Sequence, residues 1–241
     1  MRKIDFSYPL KIQFIISALF IINKIVGNMD GNNSHSSNSI YSTLIFDWGN
    51  VVLNFSYDLT FKKWAELTPN DYNFFKTHFK FDKKMVEYEK GNISSQEYFK
   101  HVKQLLNISW SFETFSRGWN SIYIGINGKI IPLLKRLKKN YKLYLLTNTN
   151  ELHTKCWKKK YSDILDSFEG IFCSHELHSH KPEPKIFEDV LKEINIDPKY
   201  VLFVDDNKEN VLSAKKAGID GIVAFSAEQI IKDMEELLIF H

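Results

Sequence analysis

From residue 43 onward, short apolar runs alternate with segments of helical spacing, and this alternation constrains the fold more than any other feature of the sequence. The runs cover residues 43–46, 142–146, 170–173, 201–204 and 221–224. Several are rich in β-branched or aromatic residues, and helical segments separate the last four. Strands alternating with helices predict a parallel sheet with helices on both faces, and consecutive apolar residues are typical of strands buried on both sides. The sequence therefore predicts an α/β fold.

The interval from residue 57 to residue 126 departs from this alternation. It offers no convincing strand, but residues 59–67, 95–106 and 112–122 have helical spacing. Gly91 and Asn92 predict a loop, with Ser94 or Ser95 as the N-cap of the next helix. Three of the five tryptophans and many other aromatic residues fall in this interval and need an apolar interior. We expect a small helical bundle inserted after the first strand.

The first forty residues lie outside the strand pattern. A charged start and the short apolar run at residues 14–22 resemble a secretory signal. The run is too short to span a bilayer comfortably, however, and no small-residue cleavage site follows it cleanly. Met29 also offers a second start, beyond the apolar run. We interpret residues 1–40 as a dispensable extension, with an export or anchor signal as the alternative, and expect deletion of residues 1–28 to leave a folded, active protein.

Composition narrows the possible partners and the compartment. Hydrophobic residues at 44% and charged residues at 25% are ordinary globular values, which argues against wholesale disorder. A net charge of +3 is too small to imply a nucleic-acid partner, and the lysine clusters at residues 135–139 and 158–160 are best explained as solvated helix faces. Two cysteines make no disulfide framework. We therefore expect a cytoplasmic protein that does not bind nucleic acid.

Polar residues follow four of the predicted strands, where ligands bind in open α/β sheets. In chain order they are Asp47, the pair Thr147 and Asn148, Lys181 before Pro-x-Pro, and the pair Asp205 and Asp206. A carboxylate such as Asp47 can be a nucleophile, a metal ligand, a helix cap or a turn residue. Thr147 and Asn148 could bind an anion or cap a helix. Adjacent carboxylates at a buried strand end repel each other, and a bound cation would relieve that repulsion.

Each element is ambiguous alone, but their order resembles the four-part signature of the haloacid-dehalogenase-like hydrolases. The resemblance covers residues 43–225 and is especially close at residues 181–187 and 201–219. It implies a Rossmann-like parallel sheet whose first strand is central, flanked by the second and fourth. It also implies a helical cap at residues 57–126 over a core formed by residues 41–56 and 127–241. Within the family, the chain resembles the phosphatases with an Asp-x-Gly-Asn-Val start, which include bacterial glucose-1-phosphate phosphatases.

The same resemblance implies a magnesium-dependent phosphohydrolase acting on a small phosphorylated metabolite, such as a sugar phosphate. Asp47 would attack phosphorus and form an aspartyl-phosphate that water then hydrolyses. Mg²⁺ would bind the Asp47 carboxylate, the backbone carbonyl of Gly49 and Asp206, with Asp205 behind them or as an alternative ligand. The ion would neutralise charge that otherwise keeps an anionic nucleophile from a phosphate.

Three further residues would hold the phosphoryl group in this mechanism. Thr147 and the backbone N–H of Asn148 would bind its oxygens. Lys181 would bridge the nucleophile and the phosphate as a positive charge.

Gly49 departs from the commoner family pattern. Most phosphatases of this type carry a second aspartate two positions after the nucleophile, as general acid for the leaving group and base for water. Losing a general acid typically costs about a hundred- to ten-thousand-fold in rate. We still expect activity, favouring substrates with a good leaving group such as a sugar 1-phosphate. His180 is the first candidate for a substitute proton donor, with a role in the pocket wall as the alternative.

Two other functions remain open. A metal-independent 2-haloacid dehalogenase would use Asp47 against carbon, but such enzymes tend to replace the paired acids of the fourth motif, so Asp205 and Asp206 argue against it. A catalytically weak binding protein on the same fold is suggested by Gly49. The presence together of Asp47, Thr147, Lys181 and Asp206 makes this the less favoured alternative.

Overall fold

A computed structural model describes residues 39–238 of the 241-residue chain. The apolar run at residues 14–22 and the second start at Met29 lie outside the described residues, as does nearly all of the predicted extension. Between residues 39 and 238, no helix combines the length and the apolar character needed to cross a membrane.

The described residues form seven strands, of which five make one parallel sheet. The strands are β1 (Thr43–Phe46), β2 (Leu53–Phe55), β3 (Tyr123–Ile126), β4 (Lys142–Thr147), β5 (Gly170–Cys173), β6 (Val201–Asp205) and β7 (Asp220–Val223). The parallel sheet has the order β5-β4-β1-β6-β7. The α/β parallel sheet is confirmed, with the first strand between the second and fourth of the predicted sheet strands.

The same residues form twelve α-helices and two short 3₁₀ turns. The helices are α1 (Tyr57–Leu67), α2 (Tyr72–His78), α3 (Lys83–Glu89), α4 (Ser95–Leu106), α5 (Phe112–Trp119), α6 (Ile130–Leu137), α7 (Glu151–Lys160), α8 (Ser162–Leu165), α9 (Ser174–Leu177), α10 (Pro184–Ile194), α11 (Lys208–Lys216) and α12 (Ala227–Leu238). The 3₁₀ turns are Asn120–Ile122 and Pro198–Tyr200.

Alternate residues of the central strand pack into two different hydrophobic layers. Leu44 and Phe46 point into a layer shared with α6, α7 and α12. Ile45 points into a layer shared with α10 and α11. Because side chains alternate across a strand, a fully apolar β1 can be buried only if helices cover both faces of the sheet. This burial fixes the ends of β1 and of its neighbours at one edge of the core.

Helices α1 to α5 have an aromatic interior of their own, formed around Trp64, Phe115 and Trp119. The rings of Trp64 and Phe115 stack with centroids 5.7 Å apart, and those of Phe115 and Trp119 with centroids 5.6 Å apart. A capping box starts α4, in which Ser94 and Glu97 bind each other's backbone N–H groups. We propose residues 57–126 as the cap and residues 41–56 with 127–241 as the core.

Two expectations for the cap were wrong. Residues 123–126 form strand β3, which pairs antiparallel with β2, whereas no strand was expected between residues 57 and 126. The predicted helix at residues 112–122 ends at Trp119, and the 3₁₀ turn completes it. Strands β2 and β3 are only three and four residues long, and Gly125 has a φ of 147° that suits glycine alone. Such short strands, paired with distant partners, leave almost no periodic pattern in the sequence.

Candidate active site

The candidate site begins where three neighbouring strands of the sheet end together. Phe46 is aligned with Leu145 of β4 and with Val204 of β6. The next residues of the three strands, Asp47, Leu146 and Asp205, therefore stand side by side at the carboxyl edge of the sheet. The backbone N–H of Asp47 donates to the carbonyl of Val204 at 2.8 Å, which fixes the main chain beneath the carboxylate.

Lys181 bridges these three strand ends from the loop between α9 and α10. Its ammonium donates to Asp47 Oδ1 at 2.8 Å, to Asp205 Oδ2 at 2.6 Å and to the carbonyl of Leu146 at 2.9 Å. The residue is only 2% exposed. Burial alone would lower the pKa of Lys181, but the carboxylates of Asp47 and Asp205 more than offset it and raise that pKa. The ammonium is therefore a fixed positive charge beside Asp47.

Asp205 is fully buried, and protein donors engage both of its carboxylate oxygens. Oδ1 accepts from the backbone N–H of Asn207 at 2.8 Å and from Asn210 Nδ2 at 3.0 Å. Oδ2 accepts from Asn210 Nδ2 at 3.1 Å and from Lys181. These contacts favour Asp205 as the residue that holds Lys181 in place, rather than as a direct metal ligand. Asn210 was not predicted as a site residue, and its only signal in the sequence is its place in the first turn of α11.

Three carboxylates lie within reach of one ion at this edge. One carboxylate oxygen of Asp47, one of Asp205 and one of Asp206 all lie within 4.8 Å of one another. Burial, with repulsion from Asp205 and Asp206, raises the pKa of Asp47 to about 7 against the opposing effect of Lys181. Burial and Asp205 likewise raise the pKa of Asp206. One ammonium does not balance three carboxylates, so oxygen donors with excess negative charge fit a hard cation such as Mg²⁺.

The two residues predicted to bind phosphate are both placed at this edge. Thr147 ends β4 and is buried, with 3% of its surface exposed. The side chain of Asn148 has a role that was not predicted: Oδ1 accepts from the backbone N–H of Lys181 at 2.8 Å, and Nδ2 donates to the carbonyl of Lys181 at 2.9 Å. This pair of bonds holds the Lys181 loop against the end of β4.

A side chain at Gly49 would collide with the ring of Phe55 as that ring lies in this structure. A Cβ placed there would lie 2.6 Å from Cε1 of Phe55 and 3.7 Å from Asp47 Oδ2. Real Cβ atoms do not come within 3 Å of a neighbouring carbon, so the ring of Phe55 stands where the family's usual second aspartate would begin. The φ of Gly49 lies outside the left-handed region, so close contact rather than backbone conformation excludes other residues.

His180, predicted as a wall residue or proton donor, contacts the cap. Its Nε2 lies 2.9 Å from Glu89 Oε2, and its Nδ1 lies 3.3 Å from Asn148 Nδ2. Glu89 borders a cavity of about 70 Å³ that is also lined by Gly49, Thr147 and Asn148. Sequence reasoning missed Glu89 because 91 positions separate it from His180, and nothing in its local sequence distinguishes it from other helix-terminal glutamates.

Proteins of known activity resemble this chain over most of its length. A D-ribitol-5-phosphate phosphatase of Bacteroides thetaiotaomicron is 25% identical over 182 residues, which cover 73% of this chain and 88% of that protein. An enzyme of the haloacid-dehalogenase family from the same organism, solved with magnesium and inorganic phosphate, is 28% identical. Its superposition has a TM-score of 0.66 and covers 76% of this chain and 93% of that one.

The L-2-haloacid dehalogenase of Xanthobacter autotrophicus shares the fold alone, with 16% identity and a TM-score of 0.58 over 83% of this chain and 85% of that one. The family model of the haloacid dehalogenase-like hydrolases matches residues 41–218. That match includes the ends of β1, β4 and β6 and the Lys181 loop that joins them. The chain belongs to the haloacid dehalogenase-like hydrolases.

Proposed function

We propose that this protein is a magnesium-dependent phosphohydrolase that removes the phosphoryl group from a small metabolite through an aspartyl-phosphate on Asp47. The observation that carries the proposal is the bridge from Lys181 to Asp47 and Asp205, with Asp206 beside it. A buried carboxylate held by an ammonium, next to excess acidic charge, suits a nucleophile that works beside a metal ion.

Each step uses groups placed at the strand ends. Asp47 Oδ2, which is not the oxygen bound by Lys181, attacks phosphorus as the bond to the leaving oxygen breaks. Lys181, the Thr147 hydroxyl and the backbone N–H of Asn148 stabilise the charge on the phosphoryl oxygens. Water then attacks phosphorus, which releases phosphate and restores the Asp47 carboxylate.

Magnesium would be held by Asp47, Asp206 and the carbonyl of Gly49. The ion supplies positive charge that lets an anionic nucleophile approach an anionic substrate. Asn50 Nδ2 donates to Asp206 Oδ2 at 3.3 Å and orients that carboxylate. Asp205 would keep its bonds to Lys181 and Asn210 and support the site from behind.

We propose a sugar or polyol phosphate as the substrate class. Support comes from the relative named D-ribitol-5-phosphate phosphatase, which aligns with 73% of this chain. The dehalogenase alternative is weaker, because its support is a likeness of fold at 16% identity, and because Asp205 and Asp206 suit a metal that such chemistry does not need.

A phosphate-release screen tests the proposal. The purified protein is assayed against a panel of polyol, sugar and nucleotide phosphates, with Mg²⁺ and in excess chelator. We expect magnesium-dependent release that is highest among polyol and sugar phosphates, and an acid-quenched sample should carry a phosphoryl group on the peptide containing Asp47. Full hydrolysis in chelator, or a phosphorylated residue elsewhere, would refute the mechanism.

A further inference from the structure

The proposed function leaves one proton without a donor on the nucleophile's own loop. In an in-line displacement, the leaving oxygen lies on the far side of phosphorus from Asp47. Gly49 offers no side chain there, and Phe55 occupies the space that one would need. A group that protonates the leaving oxygen must therefore reach the substrate from across the cavity, where residues of the cap stand.

Four titratable side chains border this cavity among the described residues: Tyr57, Glu89, Tyr123 and His153. Burial raises the pKa of both tyrosines above the ordinary value, so neither phenol can accept a proton and return it near neutral pH. His153 has both ring nitrogens engaged, with the Trp119 carbonyl and with Asn150. Glu89 supplies the one carboxyl group in that lining, and its side chain keeps 15% exposure.

The orientation of Glu89 follows from a chain of hydrogen bonds that starts at the Lys181 loop. Asn148 accepts from the Lys181 N–H and donates to the Lys181 carbonyl, which fixes which end of its amide carries hydrogen. Its NH₂ group therefore faces His180 Nδ1 at 3.3 Å, an arrangement in which the ring N–H lies on Nε2. That Nε2–H donates to Glu89 Oε2 at 2.9 Å. His180 thus positions a carboxylate rather than acting as the proton donor.

The main chain around Glu89 is also fastened to the core. The hydroxyl of Ser174 donates to the Glu89 carbonyl at 2.5 Å. The next residue, Lys90, forms an ion pair with Glu183 at 2.7 Å. These contacts hold the end of α3 against the segments that follow β5, so the main chain at Glu89 is fixed relative to the core.

We propose that Glu89 is the general acid and base of this enzyme, in place of the aspartate that Gly49 replaces. In the first step, Asp47 forms a bond to phosphorus while the bond between phosphorus and the leaving oxygen breaks. Protonated Glu89 gives its proton to that leaving oxygen. In the second, the Glu89 carboxylate takes a proton from the attacking water as the bond between Asp47 and phosphorus breaks. Glu89 thus loses one proton in the first step and regains one from water in the second. This inference rests on the proposed phosphohydrolase function.

The test uses Glu89→Gln, whose side-chain oxygen can still accept from His180, with Glu87→Gln as the matched control. Glu87 lies on the same helix, binds Asn92 and does not border the cavity. We expect Glu89→Gln to lower steady-state turnover of an alkyl phosphate by about a hundred- to ten-thousand-fold, and Glu87→Gln to leave it unchanged. The wild-type rate should depend only weakly on leaving-group acidity, and the Glu89→Gln rate strongly.

The decisive readout is the first turnover with 4-nitrophenyl phosphate, whose leaving group needs no proton. Glu89→Gln should release about one equivalent of nitrophenolate rapidly and then stall, because the aspartyl-phosphate lacks a base for its hydrolysis. A loss of activity without this burst, or unchanged turnover, would overturn the inference. A wild-type protein that hydrolyses none of the phosphates would instead refute the proposed function itself.

His180 can be tested as a positioning residue by a double-mutant cycle. His180→Phe should lower turnover less than Glu89→Gln does, because the carboxylate remains but loses its orientation. In the Glu89→Gln background, His180→Phe should have little further effect on turnover, since it acts through Glu89. Additive losses would show that His180 acts by another route.

Discussion

The core and the cap contribute to the site in different ways. In the core, ion pairs of 2.6–2.8 Å join Lys181, on the loop between α9 and α10, to Asp47 and Asp205, and the sheet fixes the positions of these two carboxylates at adjoining strand ends. The cap has an interior of stacked aromatic rings and brings a single carboxylate, Glu89, to the cavity. The difference suggests that the core determines whether phosphoryl transfer occurs, whereas the docked cap determines how the proton moves.

Two asparagine–histidine pairs join these regions, and both start from the segment after β4. Asn148 donates to His180, whose other nitrogen binds Glu89 of the cap. Asn150 donates to His153, whose other nitrogen binds the carbonyl of Trp119 in the cap. In each pair the NH₂ group of the asparagine faces Nδ1 of the histidine, and Nε2 contacts an oxygen of the cap. One short segment therefore carries both the proposed phosphate-binding groups and the contacts with the cap.

The largest effect is expected from the core. Asp47→Asn should reduce turnover by roughly a millionfold, the scale seen when a nucleophile is removed from other enzymes. The fold should persist, because the change preserves shape and Lys181 keeps its bond to Asp205. Phosphate release and the far-UV circular dichroism spectrum measure the two outcomes. Normal hydrolysis of 4-nitrophenyl phosphate by this variant would exclude Asp47 as the nucleophile.

The two acids after β6 should differ in stability although both variants lose activity. Asp205→Asn turns an amide NH₂ group toward either buried Lys181 or the N–H donors of Asn207 and Asn210, and should cost about 3–5 kcal/mol of unfolding free energy. Asp206→Asn changes an exposed residue, so it should leave the unfolding free energy nearly unchanged but weaken Mg²⁺ binding. Urea denaturation and magnesium titration by calorimetry separate the two effects. Equal loss of stability in both variants would contradict the division of roles proposed for them.

The core was predictable because burial imposes a simple pattern. Strands β1 and β5 have the predicted bounds, β4 and β6 extend one residue further at their ends, and β7 is shifted by one residue. Once the strand ends and their order are known, the juxtaposition of Asp47 and Asp205 follows from the register of a parallel sheet. The contact of both residues with Lys181 does not follow from it, because Lys181 lies on a loop beyond α9. The catalytic and metal-binding roles of these residues stay predictions.

The contacts that Phe55 and Glu89 make could not be predicted from the sequence in the same way. Phe55 excludes a side chain at Gly49 through a turn that returns the chain to the site, and Glu89 meets His180 across 91 positions. Neither contact leaves a periodicity or a local motif in the sequence, because the first depends on the turn between Gly49 and Phe55 and the second on how the cap docks on the core. The absence of the second aspartate at Gly49 is therefore visible in the sequence, whereas the carboxyl group that we propose in its place is not.

A smaller effect is expected at Gly49, where the ring of Phe55 occupies the space that an aspartate side chain would need. Gly49→Asp alone should lower stability by about 1–3 kcal/mol, because its Cβ collides with the ring of Phe55. Adding Phe55→Ala should recover part of that loss. In the Glu89→Gln background, the pair Gly49→Asp and Phe55→Ala should restore part of the turnover, since a carboxyl group near Asp47 can replace the one in the cap.

Phe55→Ala alone in the Glu89→Gln background is the control for this rescue. If it restores turnover equally well, the gain comes from the extra space rather than from the new carboxyl group. Steady-state turnover of an alkyl phosphate measures the rescue, and thermal denaturation measures the loss of stability that the collision with Phe55 causes.

The smallest effect concerns the pH dependence of the contact between core and cap. His153 lies on α7 of the core, and its ring stacks on Trp119 of the cap with centroids 4.9 Å apart. Burial lowers the pKa of His153 to about 4, although the bond to the Trp119 carbonyl opposes the shift. The orientation of Asn150 acts in the same direction, because its NH₂ group faces Nδ1, where a second proton would have to go.

A lowered histidine pKa has a definite consequence for stability. Between pH 6.5 and about 4 the unfolded chain binds a proton at His153 that the folded protein does not. The stability contributed by the neutral imidazole is therefore complete above pH 6.5 and is lost as the pH falls, by about 1.4 kcal/mol for each pH unit within this window. Comparing urea denaturation of wild type and His153→Phe at pH 7 and pH 5 isolates this effect, since all other titrating groups are shared. The variant should lose less stability on acidification than the wild type does. Parallel losses in the two proteins would mean that protonating His153 does not oppose docking of the cap on the core.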